Sequence, residues 1–145
     1  MISIIDLKKA YISLLRGLYK ESIKYYGVEI KEGYSKPSFF IEVSPVEMGG
    51  GINARSNVFN FYTTYFQKEV NEIDRYKKIE EIRGALGNKL GVGDRFVNVT
   101  DYSYSFIGKD NNIIQISFTV SYMDSVKNSD NENYQTIQKI NITRG

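Results

Sequence analysis

The stretch Ile113-Ile-Gln-Ile-Ser-Phe-Thr-Val-Ser-Tyr-Met123 alternates apolar and polar residues along most of its length. Successive side chains of a β-strand point to opposite faces, so this period of two predicts a strand with one apolar and one polar face. Residues 95–107 are rich in Thr, Tyr and Val, and residues 108–112 have the composition of a hairpin turn. The sequence therefore predicts a β-hairpin here, and its second strand would bury Ile114, Ile116, Phe118, Val120 and Tyr122.

A second hairpin is predicted earlier in the chain. Phe39, Ile41 and Val43 occupy every second position, which predicts a strand that Pro45 ends or bulges. Residues 57–68 are rich in aromatic side chains and predict the partner strand. The connection, residues 46–56, is too long for a two-residue turn and contains three consecutive glycines. A last strand is predicted over residues 134–143, after a polar loop at residues 124–133.

Two segments have the apolar spacing of amphipathic helices. Apolar residues recur every three or four positions over residues 4–26, with Asp6 as a candidate cap and Gly27 as the stop. The second helix is predicted to begin at Asn71 and to close at Gly91. Its apolar stripe would consist of Ile73, Tyr76, Ile79, Ile82, Leu86 and Leu90.

These elements predict one α+β domain over residues 1–145. Hairpins imply a single antiparallel sheet, here of four or five strands. Both amphipathic helices would pack on its apolar face. The expected order is α-β-β-α-β-β, with the fifth strand last.

The chain contains neither His nor Cys. Their absence excludes disulfides, thiolate metal sites and the serine–histidine and cysteine–histidine forms of catalysis. The remaining carboxylate, Lys, Tyr, Ser and Thr residues form no recognisable catalytic set. We therefore expect no enzymatic activity, no catalytic residues, no metal site and no cofactor.

The charge is nearly balanced, with 19 basic and 17 acidic residues and a net charge of +2. Such a chain offers no large one-signed field, and no apolar run approaches the roughly 20 residues that span a bilayer. We expect neither specific nucleic-acid binding nor membrane association. Basic and aromatic residues do mix between Arg55 and Arg83, so a small nucleic-acid-binding or ligand-binding module remains an alternative.

The aromatic content favours protein surfaces as partners. The chain has 12 Tyr and 8 Phe but no Trp, and tyrosine suits half-buried sheets and subunit interfaces. The glycine-rich connection has two interpretations, a mobile surface loop or an arm that becomes ordered on a neighbouring subunit. In the second interpretation the contact residues are Met48, Gly49, Gly50, Gly51, Ile52 and Arg55.

Several segments together resemble one protein family. They are the opening helix from Ile5 to Leu15, the strand Lys36-Pro-Ser-Phe-Phe-Ile-Glu-Val43, and the aromatic strand Val58-Phe-Asn-Phe-Tyr62. The later helix, Asp101-Tyr-Ser-Tyr104 and Ile116-Ser-Phe-Thr-Val-Ser-Tyr122 continue the pattern over nearly the full chain. The arrangement resembles the tail terminator proteins of phages and of phage-derived contractile, R-type bacteriocin-like particles of Gram-positive bacteria.

The resemblance implies a structural role. A tail terminator subunit is expected to form a homo-oligomeric, hexameric ring on the last layer of the tail tube and to stop polymerisation. It then offers a docking surface to a head connector or, in contractile particles, to the sheath protein. Such a protein would assemble in the bacterial cytoplasm and then remain in the virion or tail-like particle. A head–tail connector or completion protein is the alternative within the same class.

Overall fold

A computed structural model describes residues 2–27, 35–50 and 54–125. The helices are α1 (Ile4–Tyr19) and α2 (Glu72–Leu86), and a 3-10 turn (Lys20–Ser22) follows α1. The strands are β1 (Lys24–Tyr26), β2 (Ser38–Gly50), β3 (Ala54–Phe66), β4 (Lys89–Val92), β5 (Arg95–Ile107) and β6 (Ile113–Ser125). The α+β class with two helices is confirmed. The strand predicted at residues 134–143, and all but the first two residues of the predicted loop at 124–133, lie outside the described residues.

Within the described residues the sheet has six strands in the order β1-β2-β3-β6-β5-β4. The pair β1 and β2 is parallel, and every other neighbouring pair is antiparallel. The prediction of four or five antiparallel strands is therefore wrong in both number and direction. The prediction omitted β1 and β4. These strands have three and four residues and are too short to show an alternating pattern.

The alternation predicted for β6 is confirmed. The five apolar residues that were expected to face the core, Ile114, Ile116, Phe118, Val120 and Tyr122, are all buried. The hairpin that joins β5 to β6 turns at residues 108–112, as predicted. The residues at alternate positions from Ile113 to Met123 point the other way, are half-buried or exposed, and lie on what we call the outer face. The helices pack on the opposite, inner face, where the core lies.

Helix α1 is shorter than its apolar spacing predicted. Ser3 caps it in a reciprocal capping box with Asp6, so Asp6 is the third helical residue and not the cap. The helix ends at Tyr19 because the next residue, Lys20, has a φ of 54°. Beyond this point Ile23 is buried and Tyr25 half-buried at a spacing of two, which is the period of a strand.

Helix α2 also ends earlier than predicted, and it buries different residues. Gly87 closes it with a φ of 58°, and Leu90 belongs to β4. Ile79, Ile82 and Leu86 face the core, but Ile73 and Tyr76 are 66% and 44% exposed. Their places in the buried stripe are taken by Arg75 and Lys78, the first two buried residues of the helix.

The first hairpin is a long two-stranded arm, and the predicted loop is mostly strand. Pairing between β2 and β3 continues to Gly50 and Arg55, with a register shift between Pro45 and Glu47. The bulge predicted at Pro45 is therefore confirmed. The long connection predicted over residues 46–56 is wrong, because residues 46–50 and 54–56 belong to the two strands.

Tyr11 joins α1 to the middle of the sheet. Its fully buried hydroxyl lies 2.7 Å from the Thr63 hydroxyl of β3. Its ring packs edge-on against Phe61 and Phe118, with centroids 5.5 and 5.1 Å away. Edge-to-face aromatic pairs add to the free energy of burial, and the hydrogen bond satisfies two polar groups that have no access to water.

We expect Tyr11→Phe to lower the free energy of unfolding by about 1–3 kcal/mol, because it leaves the Thr63 hydroxyl buried without its partner. The double variant with Thr63→Val removes both hydroxyls and should cost less than the sum of the two single changes. Urea unfolding of the four proteins measures this coupling. The exposed control Tyr104→Phe should stay within about 0.5 kcal/mol of wild type. Additive effects at positions 11 and 63 would contradict the hydrogen bond.

Candidate assembly surface

The structure places four of the six predicted contact residues in the β2–β3 arm. Met48 and Gly49 lie in β2, the backbone of Gly50 ends it, and Arg55 lies near the start of β3. Gly51 and Ile52 lie outside the described residues. Met48 pairs with Asn57, and Gly50 pairs with Arg55, so the side chains of Met48 and Arg55 are on the inner face. Both are exposed, because the arm extends past the helices.

Met48 and Arg55 border a cleft between the arm and the start of α1. Its volume is about 460 Å³. The other lining residues are Ile2, Ser3, Ile4, Ile5, Asn57, Phe59, Tyr122 and Asp124. The cleft is mainly apolar, and Ile4, Ile5 and Met48 leave part of its apolar lining exposed to solvent. We call this feature the arm cleft.

Three polar contacts fix the walls of the arm cleft. The Tyr122 hydroxyl donates to the Ile2 carbonyl oxygen at 3.1 Å, which ties the chain before α1 to β6. Arg95 of β5 forms an ion pair with the buried Asp124 carboxylate and donates to the Met123 carbonyl oxygen at 2.8 Å. Polar contacts therefore hold the base of the arm cleft in place, whereas no such contact holds its apolar rim.

Sequence reasoning found the arm side of this cleft but not the helix side. The apolar spacing over residues 4–26 predicts that Ile4 faces the core, yet it is partly exposed at the helix start. Phe59 and Tyr122 were recognised only as strand residues. No local pattern could show that residues 2–5 would meet residues 48–59 and 122–124, because these segments are far apart in the chain.

A buried polar network lies at the other end of the sheet, beside the start of α2. Lys78 is only 8% exposed, and its ammonium donates to Asp74 at 2.8 Å. The same ammonium lies 4.9 Å from the centroid of the Tyr19 ring and 5.1 Å from that of Tyr65. Asp74 also accepts hydrogen bonds from Tyr65 at 2.7 Å and from Gln67 at 2.9 Å. These contacts tie α2 to α1 and β3.

The network stabilises the charged form of Asp74. Burial alone would raise the pKa of this carboxyl, but the hydrogen bonds from Lys78, Gln67 and Tyr65 outweigh burial, and the pKa falls below its ordinary value of 3.8. Each charged group here already has its partners, so the arrangement is structural. Among the described residues, no three acidic side chains gather where they could hold a metal ion.

We expect Asp74→Asn to destabilise the fold at neutral pH by about 1–2 kcal/mol, because it leaves the Lys78 ammonium buried without its carboxylate. The stability that comes from a lowered carboxyl pKa is present above the unfolded value and is lost as the pH falls through the folded value. The gap between wild type and the variant should therefore narrow below about pH 4.

Denaturant unfolding of both proteins from pH 2.5 to 7 provides the measurement. Glu80→Gln is the matched control, since it removes one negative charge from an exposed position of the same helix. A gap that stays constant across this range would show that the ionised Asp74 does not stabilise the fold.

The centre of the outer face is polar but uncharged. Thr119 donates to Asn60 at 2.9 Å, Gln115 donates to Thr64 at 3.2 Å, and the hydroxyls of Ser103 and Ser117 lie 3.0 Å apart. These cross-strand pairs satisfy one another within the sheet. Exposed apolar side chains lie away from this centre. They occur at the arm cleft, at Val46, around Ile73, Tyr76 and Tyr104, and at the ends of the outer face, where Phe96 and Met123 lie.

Exposed apolar groups at the margins of a sheet, and an arm that extends past the core, are the features of a subunit that contacts other proteins. They point to a structural protein that assembles with others. The family model for the phage tail terminator protein matches residues 6–133, and the chain belongs to this family. No protein of curated function matches the chain. Among the described residues, no helix is long and apolar enough to cross a membrane.

Membership confirms the resemblance to phage tail terminators. It gives the protein a structural role in ending a phage tail, contacts with other tail components, and a place in the virion. The assignment to Gram-positive hosts and to contractile particles stays a prediction.

Proposed function

We propose that this protein forms a closed ring that caps the end of the tail tube, stops its polymerisation and presents a docking surface to the next component. The observation that carries the proposal is the family match over residues 6–133. A hexameric ring on a tube of matching symmetry is the form we propose. In a contractile particle the same ring would also end the sheath, and in a headless bacteriocin it would close the upper end.

The mechanism is geometric and needs no catalytic step. A head-to-tail interface generates a ring when its rotation closes and a filament when it does not. A closed ring that binds the tube on one side and a different component on the other side ends the stack. Membership of a structural family supports a protein that is not an enzyme. We propose that assembly takes place in the bacterial cytoplasm before the ring enters the particle.

The arm cleft supports a role for the arm in this assembly. Met48 and Arg55 reach beyond the part of the sheet that the helices cover, and both are exposed. A thioether side chain adapts to irregular apolar surfaces, and a guanidinium provides several hydrogen-bond donors. Met48, Gly49, Gly50, Gly51, Ile52 and Arg55 are therefore the proposed contact residues of the arm.

Deletion of the gene in the parent phage or particle producer tests the role directly. We expect tails of excessive and variable length in electron micrographs, and rescue by a plasmid copy. Tails of normal length that are detached from heads would instead identify a head–tail connector and contradict the terminator role. The purified protein should appear as rings, and a strictly monomeric protein would contradict ring formation.

The contribution of the arm has a matched control in the chain. Met48 and Met123 are 59% and 57% exposed at the same end of the sheet, but they lie on opposite faces. We expect Met48→Asp to abolish rescue of tail length, because a carboxylate cannot be buried without cost in an apolar contact. Met123→Asp should retain rescue.

Thermal unfolding of both variants checks that the fold is intact, and both should melt within a few degrees of wild type because the side chains are exposed. Full rescue by Met48→Asp would remove the arm cleft from the assembly surface. If both variants lost rescue of tail length equally, the inner face of the arm would have no specific role in assembly.

A further inference from the structure

Two strands of the sheet keep one edge partly unpaired within the described residues. β1 pairs only with residues 38–40 of β2, so residues 41–50 have a strand on one side alone. β4 pairs only with residues 95–98 of β5, so residues 102–107 also have a strand on one side alone. Six residues of strand extend about 20 Å, and exposed backbone groups over such a length are a template for another strand.

Each of these two strands has a register shift, which lies at the border of the unpaired part in β5 and inside it in β2. The register of β5 shifts between Thr100 and Ser103, where Asp101 has a φ of 54°. The register of β2 shifts between Pro45 and Glu47. Bulges bend and twist a strand, and they are common where pairing with one neighbour ends. The bulge of β5 thus separates the part that pairs with β4 from the part whose edge is open, and the bulge of β2 bends its open part.

The side chains along the open edges favour pairing of β2 with β5 over pairing of β2 with itself. Residues 102–107 of β5 include no charged residue, and Tyr104 is 50% exposed beside Tyr76 of α2. Along β2, Val46 and Met48 are exposed apolar residues, whereas Glu42 and Glu47 point to the outer face. Pairing β2 with a second β2 would bring acidic residues of the two copies together, and like charges facing each other across strands are destabilising. β5 offers an apolar and neutral partner.

Strand direction favours the same partner. The pairs β2–β3, β3–β6 and β6–β5 are all antiparallel, so β5 runs in the direction opposite to β2. Since β4 is antiparallel to β5, it runs in the same direction as β2. Ile41 lies level with Tyr104 across the sheet, so the two open segments overlap fully only when the next copy is shifted along the strands. A rotation about an axis that is tilted from the strands gives such a shift and keeps these directions. The β2 edge of one copy would therefore meet the β5 edge of the next copy as an antiparallel pair, whereas β4 would offer only a parallel one. Antiparallel pairing is slightly more stable per residue.

We infer that neighbouring copies of this chain join edge to edge, with residues 41–50 of one β2 pairing antiparallel with residues 102–107 of the next β5. The contact is head-to-tail, so it can close into a ring, and the sheet then continues from copy to copy with every helix on the same side. A contact between β5 of one copy and β5 of another would leave both β2 edges open. The pairing of β2 with β5 is argued from the sheet alone, and only the closure of the resulting chain of copies into a ring rests on the proposed function.

Cysteine crosslinking tests this contact without background, because the chain contains no Cys. Ser44 on β2 and Ser103 and Ser105 on β5 all point to the outer face. Within one copy, three strand spacings, about 14 Å, separate β2 from β5, so a disulfide between them cannot form inside a monomer. We expect mild oxidation of the full chain with Ser44→Cys plus Ser105→Cys, or plus Ser103→Cys, to shift the protein into a ladder of oligomers on denaturing gels.

The controls separate the other arrangements. Ser44→Cys plus Ser117→Cys places the second thiol in the middle of the sheet and should give no ladder. Dimers from Ser44→Cys alone would show β2–β2 pairing and overturn the inference. A disulfide inside the monomer between Ser105→Cys and Ile137→Cys would show that the C-terminal segment of the same chain holds the β5 edge, and would overturn it as well.

Electron microscopy of the same samples keeps the two proposals distinguishable. Rings in which neither β2–β5 cysteine pair crosslinks would overturn the edge contact and leave the ring proposal standing. A sample with neither rings nor crosslinks would overturn both. A ladder that ends at the number of copies counted in the rings would support both.

Discussion

The inner face of the sheet must be covered along strands that are longer than the helices available to cover them. A strand of 13 residues, such as β3, extends about 43 Å, whereas the 16 residues of α1 extend about 24 Å. The helices therefore cover the middle of the sheet, where Tyr11 packs against Phe61 and Phe118. The strand ends beyond them stay open, and this geometry creates both the arm and the arm cleft.

The same constraint explains which parts of the fold the sequence predicts. β6 lies between two strands in the middle of the sheet, one of its faces is completely buried, and its alternation is correspondingly regular. β1 and β4 are short edge strands, so neither contains enough residues to show a period. The apolar spacing of α2 predicts the wrong buried residues, because Lys78 is buried between two tyrosine rings while Ile73 faces solvent. A buried lysine is identified only by its partners, and those belong to other elements.

For a similar reason the sequence predicts the arm side of the candidate site but not its side at the start of α1. Three consecutive glycines marked the segment around Met48 as unusual, and Met48 and Arg55 do lie in the arm. The glycines suggested a long loop because glycine disfavours regular structure when it is considered alone. Pairing with β3, which itself pairs with β6 up to Ser125, keeps residues 48–50 in the strand. Pairing with other strands therefore determines the extended conformation of residues 48–50, and no local sequence pattern shows this pairing.

The outer face and the sheet edges differ in what they require from a neighbour. On the outer face Asn60, Thr64 and Ser117 already have side-chain partners on adjacent strands, so this surface is satisfied in contact with water. An open strand edge has backbone donors and acceptors in a fixed row, and a strand of defined direction completes it best. In the proposed ring the edges would then determine lateral assembly, which is specific in direction. The centre of the outer face would form a neutral wall that does not select a partner by charge.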